Sequence, residues 1–186
     1  MLNSEEKDII IDFALQNEDN FKIAINIGLS FDKIRKIVIL DFLDSLEKAL
    51  KNSLNGEWTV ENEIKENVFQ HWRGLYIYKN SWNKKYKIGF ESQSHNAKGF
   101  IIGIVKDETI PTIEGLKEQL DDKYRKGLVS AYWSWYQYLD YPYQNWDNEE
   151  VLMKMKLYTS ESVEYFKNNI FQIKDIATQS IDSQVL

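Results

Sequence analysis

The sequence LYIYKNSWNKKYKIGFESQSHNAKGFIIGIVK, residues 75–106, decides the fold class, because it contains three runs typical of β-strands. The runs 75–79, 85–91 and 99–106 are rich in Tyr, Ile, Phe and Val, and polar turn residues separate them. The short connections predict that neighbouring strands pair antiparallel. Since residues 57–60 also look like the start of a strand, we expect an antiparallel meander sheet of about four strands.

Helices are expected on both sides of this sheet. Ser4 is a suitable N-cap for a first helix with an apolar stripe that includes Ile9, Ile10 and Phe13. Residues 21–27 alternate as a strand does, but a helix is favoured because no breaker precedes Gly28. Further helices are predicted at 30–55, at 112–127, near 147–155 and from about 160 to 180. These patterns predict a single α+β domain over 1–186, with a helical part at 1–55, the sheet at 56–106 and a helical part at 107–186.

Composition narrows the class of protein. The 186 residues contain 43% hydrophobic residues and no cysteine, so a core can form while disulfides and thiolate chemistry are excluded. No run approaches the roughly 18 consecutive apolar residues of a membrane helix. We therefore expect a cytoplasmic protein that does not bind membranes. A net charge of −6 argues against a surface that binds nucleic acid as a whole.

Charge is nevertheless unevenly distributed along the chain. Residues 71–106 carry a net charge of +6, which leaves −12 for the rest of a chain whose total is −6. Alternation predicts that Lys85, Lys87 and Glu91 lie on the outer face of the sheet, with Trp82 exposed at a hairpin tip. Such a face can bind nucleic acid or a protein partner, or can simply keep the sheet in solution. The candidate binding residues are Lys79, Trp82, Lys84, Lys85, Lys87, Tyr143 and Trp146.

The last two of these candidates come from an aromatic stretch, AYWSWYQYLDYPYQNW, at residues 131–146. Its first half is predicted to join the sheet to the C-terminal helices inside the core, because exposing so many rings together promotes association. Its second half reads as a partly exposed loop in which Tyr143 and Trp146 are available to a ligand. Self-association through the same two rings is an alternative.

Catalytic motifs are scarce. The chain lacks a Gly-rich phosphate loop, a nucleophile elbow and an H-E-x-x-H helix. His71 and His95 lie far apart in the sequence, and neither is expected to form a metal pair. The segment Glu63-Ile64-Lys65 matches half of a nuclease metal site, so the alternative to a solvated acidic segment is a site that uses Glu57, Glu61, Glu63 and Lys65 with Mg²⁺ or Mn²⁺. The leading interpretation includes no cofactor.

Several segments together resemble a known family. They are Gly74-Leu75-Tyr76-Ile77-Tyr78, Gly89-Phe90-Glu91, Ile102-Gly103-Ile104, Tyr132-Trp133-Ser134-Trp135, Trp146, and a closing helix with Ile181-Asp182 and Leu186. Their order is similar to the C-terminal accessory region of bacterial PD-(D/E)xK-superfamily nuclease-like proteins, without the nuclease motif. The resemblance implies a bacterial or phage defence context.

We therefore expect a non-catalytic interaction module that binds a protein partner or nucleic acid. A divergent metal-dependent nuclease is the alternative. The sequence leaves the oligomeric state open.

Overall fold

The computed structural model of the chain describes residues 4–185, and for Ser4 the backbone alone. The side chain of Ser4, expected as a helix cap, and Leu186, part of the resemblance, lie outside the described residues. The elements are α1 (Ser4–Leu15), α2 (Glu18–Ser53), β1 (Trp58–Asn62), β2 (Gly74–Lys79), β3 (Tyr86–Ser94), β4 (Lys98–Lys106), α3 (Leu116–Lys123), β5 (Trp133–Tyr138), α4 (Glu149–Leu157) and α5 (Thr159–Val185). The α+β class is confirmed.

The sheet is an antiparallel meander in the order β1-β2-β3-β4-β5, as the short connections predict, but it has five strands rather than about four. The fifth strand forms from the first half of the aromatic stretch. Its register against β4 shifts between Ile104 and Val105. This bulge places Trp135 in the main core and Trp133, only two residues away, in a cluster on the opposite face. Strand alternation is broken there, which is why the sequence pattern hides the strand.

The main core lies between the inner face of the sheet and helices α2, α4 and α5. Ile88 and Phe90 of β3 point into it, as alternation predicts. Phe90 contacts Phe166 of α5, which in turn contacts Phe42 of α2. The last helix contributes Phe166, Ile170 and Ile173 to this core, and all three are fully buried. Burial of this apolar area is the main stabilising contribution to the fold.

In the second half of the aromatic stretch Tyr141 is exposed but Tyr143 and Trp146 are buried, so the expectation of partly exposed rings at Tyr143 and Trp146 is wrong. Trp146 is fully buried and stacks on Phe100 with ring centroids 4.0 Å apart. Its Nε1 donates to the carbonyl of Tyr143 at 2.9 Å, and the Tyr143 hydroxyl lies 3.1 Å from Ser162 Oγ. The rings fill the core beneath β4 and α5. Neither ring is accessible to a ligand or to a second copy of the chain.

Two helix predictions need correction. Residues 21–27 are helical, as favoured, and form one continuous helix with the segment predicted at 30–55. The helix expected at 112–127 is confined to Leu116–Lys123. It ends early because the chain turns back so that Gly127 approaches the ring of Trp135, where an added Cβ would lie only 2.3 Å from ring atoms. Asp121 holds this turn by accepting from the Gly127 amide at 2.9 Å and from Trp135 Nε1 at 3.0 Å.

The N-terminal region differs most from expectation. In residues 5–37, here called the arm, Arg35 is the one buried side chain. The predicted core stripe of α1 is exposed: Ile9, Ile10 and Phe13 retain 66%, 53% and 54% of their accessible surface. The arm supplies thirteen of the twenty-two exposed large apolar side chains in the described part of the chain. Helical periodicity identifies such a stripe but does not show whether the same chain covers it.

Candidate functional site

On the outer face of the sheet, four residues form a row across the strands, and the two in the middle are glycines. Tyr76, Gly89, Gly103 and Tyr136 are register partners on successive strands from β2 to β5. A Cβ added to Gly89 would lie 2.0 Å from the carbonyl oxygen of Leu75, and one added to Gly103 would lie 2.1 Å from that of Trp135. Only glycine fits at these two central positions. The row therefore forms a depression between two tyrosines.

The neighbouring rows supply apolar and aromatic side chains to both sides of this depression. Ile101 faces Tyr138 on one side, and Val105 faces Trp133 on the other. Trp133 and Tyr136 lie with ring centroids 6.0 Å apart. Together with the loops above the sheet they form a groove of about 590 Å³, lined by Trp72, Glu91, Gln93, Ile101, Val105, Lys106, Ser130, Tyr132, Trp133, Tyr136 and Tyr138. We call this the outer-face groove, and its volume is in the range of small-molecule and side-chain binding sites.

Three exposed rings stand at the rim of the outer-face groove. Trp72, Tyr132 and Tyr138 retain 65%, 57% and 52% of their accessible surface. Trp72 has a left-handed backbone with φ 55°, held by its amide, which donates to the Ser92 carbonyl at 2.7 Å. The Tyr132 hydroxyl donates to Glu108 at 3.1 Å. Exposed aromatic rings around a concave surface are characteristic of binding sites in folded proteins.

Glu91 provides the negative charge of the groove. Burial raises the pKa of Glu91, while hydrogen bonds from the Tyr76 hydroxyl at 2.5 Å and the Gln93 amide at 2.8 Å act in the opposite direction. Burial, and then the charge of Glu91, raise the pKa of Tyr76 well above its ordinary value, so its hydroxyl stays protonated and donates. A carboxylate accepts more than two hydrogen bonds. Glu91 therefore has capacity for a further donor from the groove.

The lysines predicted to form a basic patch are largely neutralised by acids. Lys84 and Lys87 each place Nζ 2.6 Å from a different oxygen of Glu61. Burial raises the pKa of Glu61, but hydrogen bonds from these two lysines outweigh it and lower the pKa. Lys85 is exposed at the turn. The net charge of +6 over residues 71–106 therefore does not produce a basic surface of that strength, because Glu61 of β1 pairs with two of the lysines.

The Trp82 hairpin does not form an exposed tip, so that expectation is wrong. Trp82 is fully buried, and its Nε1 donates to Asp182 of α5 at 2.7 Å. Lys79 binds the other oxygen of the same carboxylate at 2.5 Å. Both candidate residues tie the β2–β3 connection to the C-terminal helix and are engaged inside the protein.

The four residues of the nuclease alternative do not converge. Glu57 is exposed before β1, Glu61 and Glu63 contact Lys87, and Lys65 points to Asp44 and Glu47 of α2 at 2.5 and 2.6 Å. Across residues 4–185, no group of three or more His, Asp or Glu side chains is arranged to hold a metal ion. Lys65 stabilises α2 rather than a site on the sheet.

Sequence reasoning missed two features of this region. His71 and His95 do meet, with Nδ1 atoms 3.3 Å apart, because the loop before β2 and the β3–β4 turn lie side by side. The groove itself was missed because it combines residues that are more than 60 positions apart in the sequence, such as Trp72 and Tyr136. The sequence does contain a signal for this surface: Tyr76 faces outward, and Gly89 and Gly103 interrupt the middle of two strands.

Comparisons with protein-family models, with curated proteins and with solved structures found no match to this chain. The resemblance to a nuclease accessory region stays a prediction. Within residues 4–185, no helix has the combination of length and apolar composition that a membrane crossing requires.

Proposed function

We propose that the protein is a non-catalytic interaction module whose outer-face groove binds an extended segment of a protein partner. One observation carries the proposal: a partly desolvated carboxylate, Glu91, lies in a groove to which five aromatic side chains contribute. Aromatic faces attract cations, and a carboxylate with remaining acceptor capacity pairs with them. The partner segment is therefore expected to place a lysine or arginine over Glu91 and apolar side chains against Trp133 and Tyr136.

Charge favours a basic peptide over nucleic acid. Glu91 and Lys106 are the only formally charged side chains among the groove-lining residues. The ammonium of Lys106 donates to the Ala131 carbonyl at 2.6 Å, and Lys87 beside the groove is paired with Glu61. Nucleic-acid affinity depends on cations that are available to phosphates. Because Glu91 offsets the formal charge of Lys106 and Lys87 is paired with Glu61, the groove offers phosphates little of that attraction.

The proposed setting is the cytoplasm, because a chain with no cysteine requires no oxidising compartment. No cofactor is part of the proposal. Peptide binding is therefore expected to be the same in Mg²⁺ and in EDTA.

The experiment measures binding of three probes to the whole protein by tryptophan fluorescence. The probes are a peptide of alternating lysine and leucine, the matching glutamate–leucine peptide, and oligo-dT. We expect the lysine peptide to bind most tightly, and Glu91→Gln to weaken it about tenfold, as loss of one charge-assisted contact requires. Trp72→Ala should weaken it as well.

Tyr141→Ala is the matched control, since Tyr141 is an exposed tyrosine, 71% accessible, that does not line the groove. Its affinity for the lysine peptide should equal that of the unchanged protein. Equal binding of the lysine and glutamate peptides would refute the proposal, as would tighter binding of oligo-dT that Trp72→Ala abolishes.

A further inference from the structure

The arm, residues 5–37, presents more apolar surface than an unpartnered segment ordinarily does. Its thirteen exposed large apolar side chains retain between 45% and 81% of their accessible surface. A side chain of this size offers about 60–120 Å² when fully exposed. The arm therefore exposes roughly 400–800 Å² of apolar area, against about 800 Å² that each partner contributes to a stable interface.

The apolar side chains of the outer part of α2 form two rows on opposite sides of the helix. Phe21, Ile25 and Leu29 recur at four-residue intervals, and the second row, Ile23, Ile27 and Phe31, is displaced by two residues. Two residues correspond to about 200° around a helix, so the rows point in nearly opposite directions. One partner helix covers one row, and two helices are needed to cover both.

The charges of the arm are self-complementary. Residues 5–19 carry a net charge of −5, and residues 20–37 carry +3. Two arms that pair antiparallel bring the acidic half of each against the basic half of the other. Parallel pairing places like charges together and is disfavoured.

From these observations we infer that the arm binds the arm of a second copy, in a two-fold antiparallel assembly. Each copy contributes two helices, α1 and the outer part of α2, and the four helices enclose both apolar rows. The proposed partner is a second copy of this chain, because one arm already contains everything that the other arm needs: apolar surface, two helices, and an acidic and a basic half. The inference is independent of the outer-face groove, none of whose lining residues belongs to the arm.

Sedimentation equilibrium of the whole protein at tens of micromolar tests the inference. The expected mass is that of a dimer. Ile25→Asp and Ile27→Asp each place a charge in a different row, and each should weaken dimerisation more than about tenfold. Met153→Asp on α4 is the matched control, because Met153 is 54% exposed outside the arm, and it should leave the dimer intact.

A second pair of variants tests the orientation. Lys33→Glu with Lys36→Glu should weaken the dimer, whereas Lys123→Glu with Lys126→Glu, the same charge change outside the arm, should not. Circular dichroism and thermal melting show that each variant remains folded. A monomer under these conditions, a dimer indifferent to the arm variants, or a monomer that cosediments with phosphatidylglycerol vesicles through the arm would each overturn the inference.

Discussion

Replacing Asp182 by Ala tests whether the β2–β3 connection is fastened to α5 or is free to bind a ligand. The carboxylate accepts from Lys79 Nζ at 2.5 Å and from the indole Nε1 of the fully buried Trp82 at 2.7 Å. Hydrogen bonds to a charged group contribute about 1.5–3 kcal/mol each, and this site is partly exposed. We therefore expect a loss of about 2–4 kcal/mol in the free energy of unfolding, and a fall in Tm of roughly 6–12 °C for 3 kcal/mol.

The assay is urea unfolding followed by tryptophan fluorescence, with two further variants. Asp182→Asn keeps an acceptor for Trp82 but loses the charge, so its stability should be intermediate. Asp175→Ala removes a carboxylate of the same helix that is 69% exposed and bound to Lys174, and it should change stability by less than about 0.5 kcal/mol. If Asp182→Ala were no more destabilising than Asp175→Ala, the contacts of Asp182 with Lys79 and Trp82 would not stabilise the fold, and the β2–β3 connection would not be held by α5.

The contribution of Asp182 should also depend on pH. Burial raises the pKa of Asp182, but hydrogen bonds from Lys79 and Trp82 outweigh it and hold the pKa below its ordinary value of 3.8. A group with a lowered folded-state pKa stabilises the fold above its unfolded value, and this stabilisation is lost as the pH falls. The stability difference between the unchanged protein and Asp182→Ala should therefore be constant near neutral pH and shrink below pH 3.8.

Three further predictions concern other sites. Trp146→Ala removes a fully buried ring that stacks on Phe100, so unfolding in urea should show a loss of about 3–5 kcal/mol; an unchanged midpoint would mean that the ring is not in the core. Burial raises the pKa of Glu47, but hydrogen bonds led by those from Lys51 and Lys65 bring it to about 2, so Tm should decline as the pH falls from 4.5 towards 2, and Glu47→Gln should flatten that decline. Glu61→Gln releases Lys84 and leaves Lys87 only its contact with Glu63 at 3.4 Å, so filter binding should detect oligo-dT retention that is absent from the unchanged protein and suppressed by salt; no retention by Glu61→Gln would show that pairing with Glu61 is not what masks these lysines.

Local patterns predict much of this fold because most of its contacts are local in sequence. The meander pairs each strand with the next, so turn residues and alternation suffice for β1 to β4. The same patterns fail where residues far away in the sequence determine whether a side chain is buried. Trp82 looks like an exposed hairpin tip until Asp182, 100 residues later, accepts from its indole. β5 is missed because its bulge puts Trp133 and Trp135 on opposite faces.

The candidate site is less predictable than the fold for the same reason. Alternation places Lys87 and Glu91 on the outer face, and the structure agrees. It does not reveal that Glu61 neutralises Lys87, because that requires the register of β1 beyond β2. Nor does it show that Tyr136 lies in one row with Tyr76 across two glycines.

The position of α5 governs the order in which the chain can become stable during synthesis. The sequence of all five strands is complete by Tyr138, yet Phe166, Ile170 and Ile173 of α5, which cover part of their inner face, come later in the chain. A released chain that ends before this helix contains every strand but leaves part of the inner apolar face uncovered. We expect such fragments to be bound by chaperones and cleaved by proteases more readily than the finished chain.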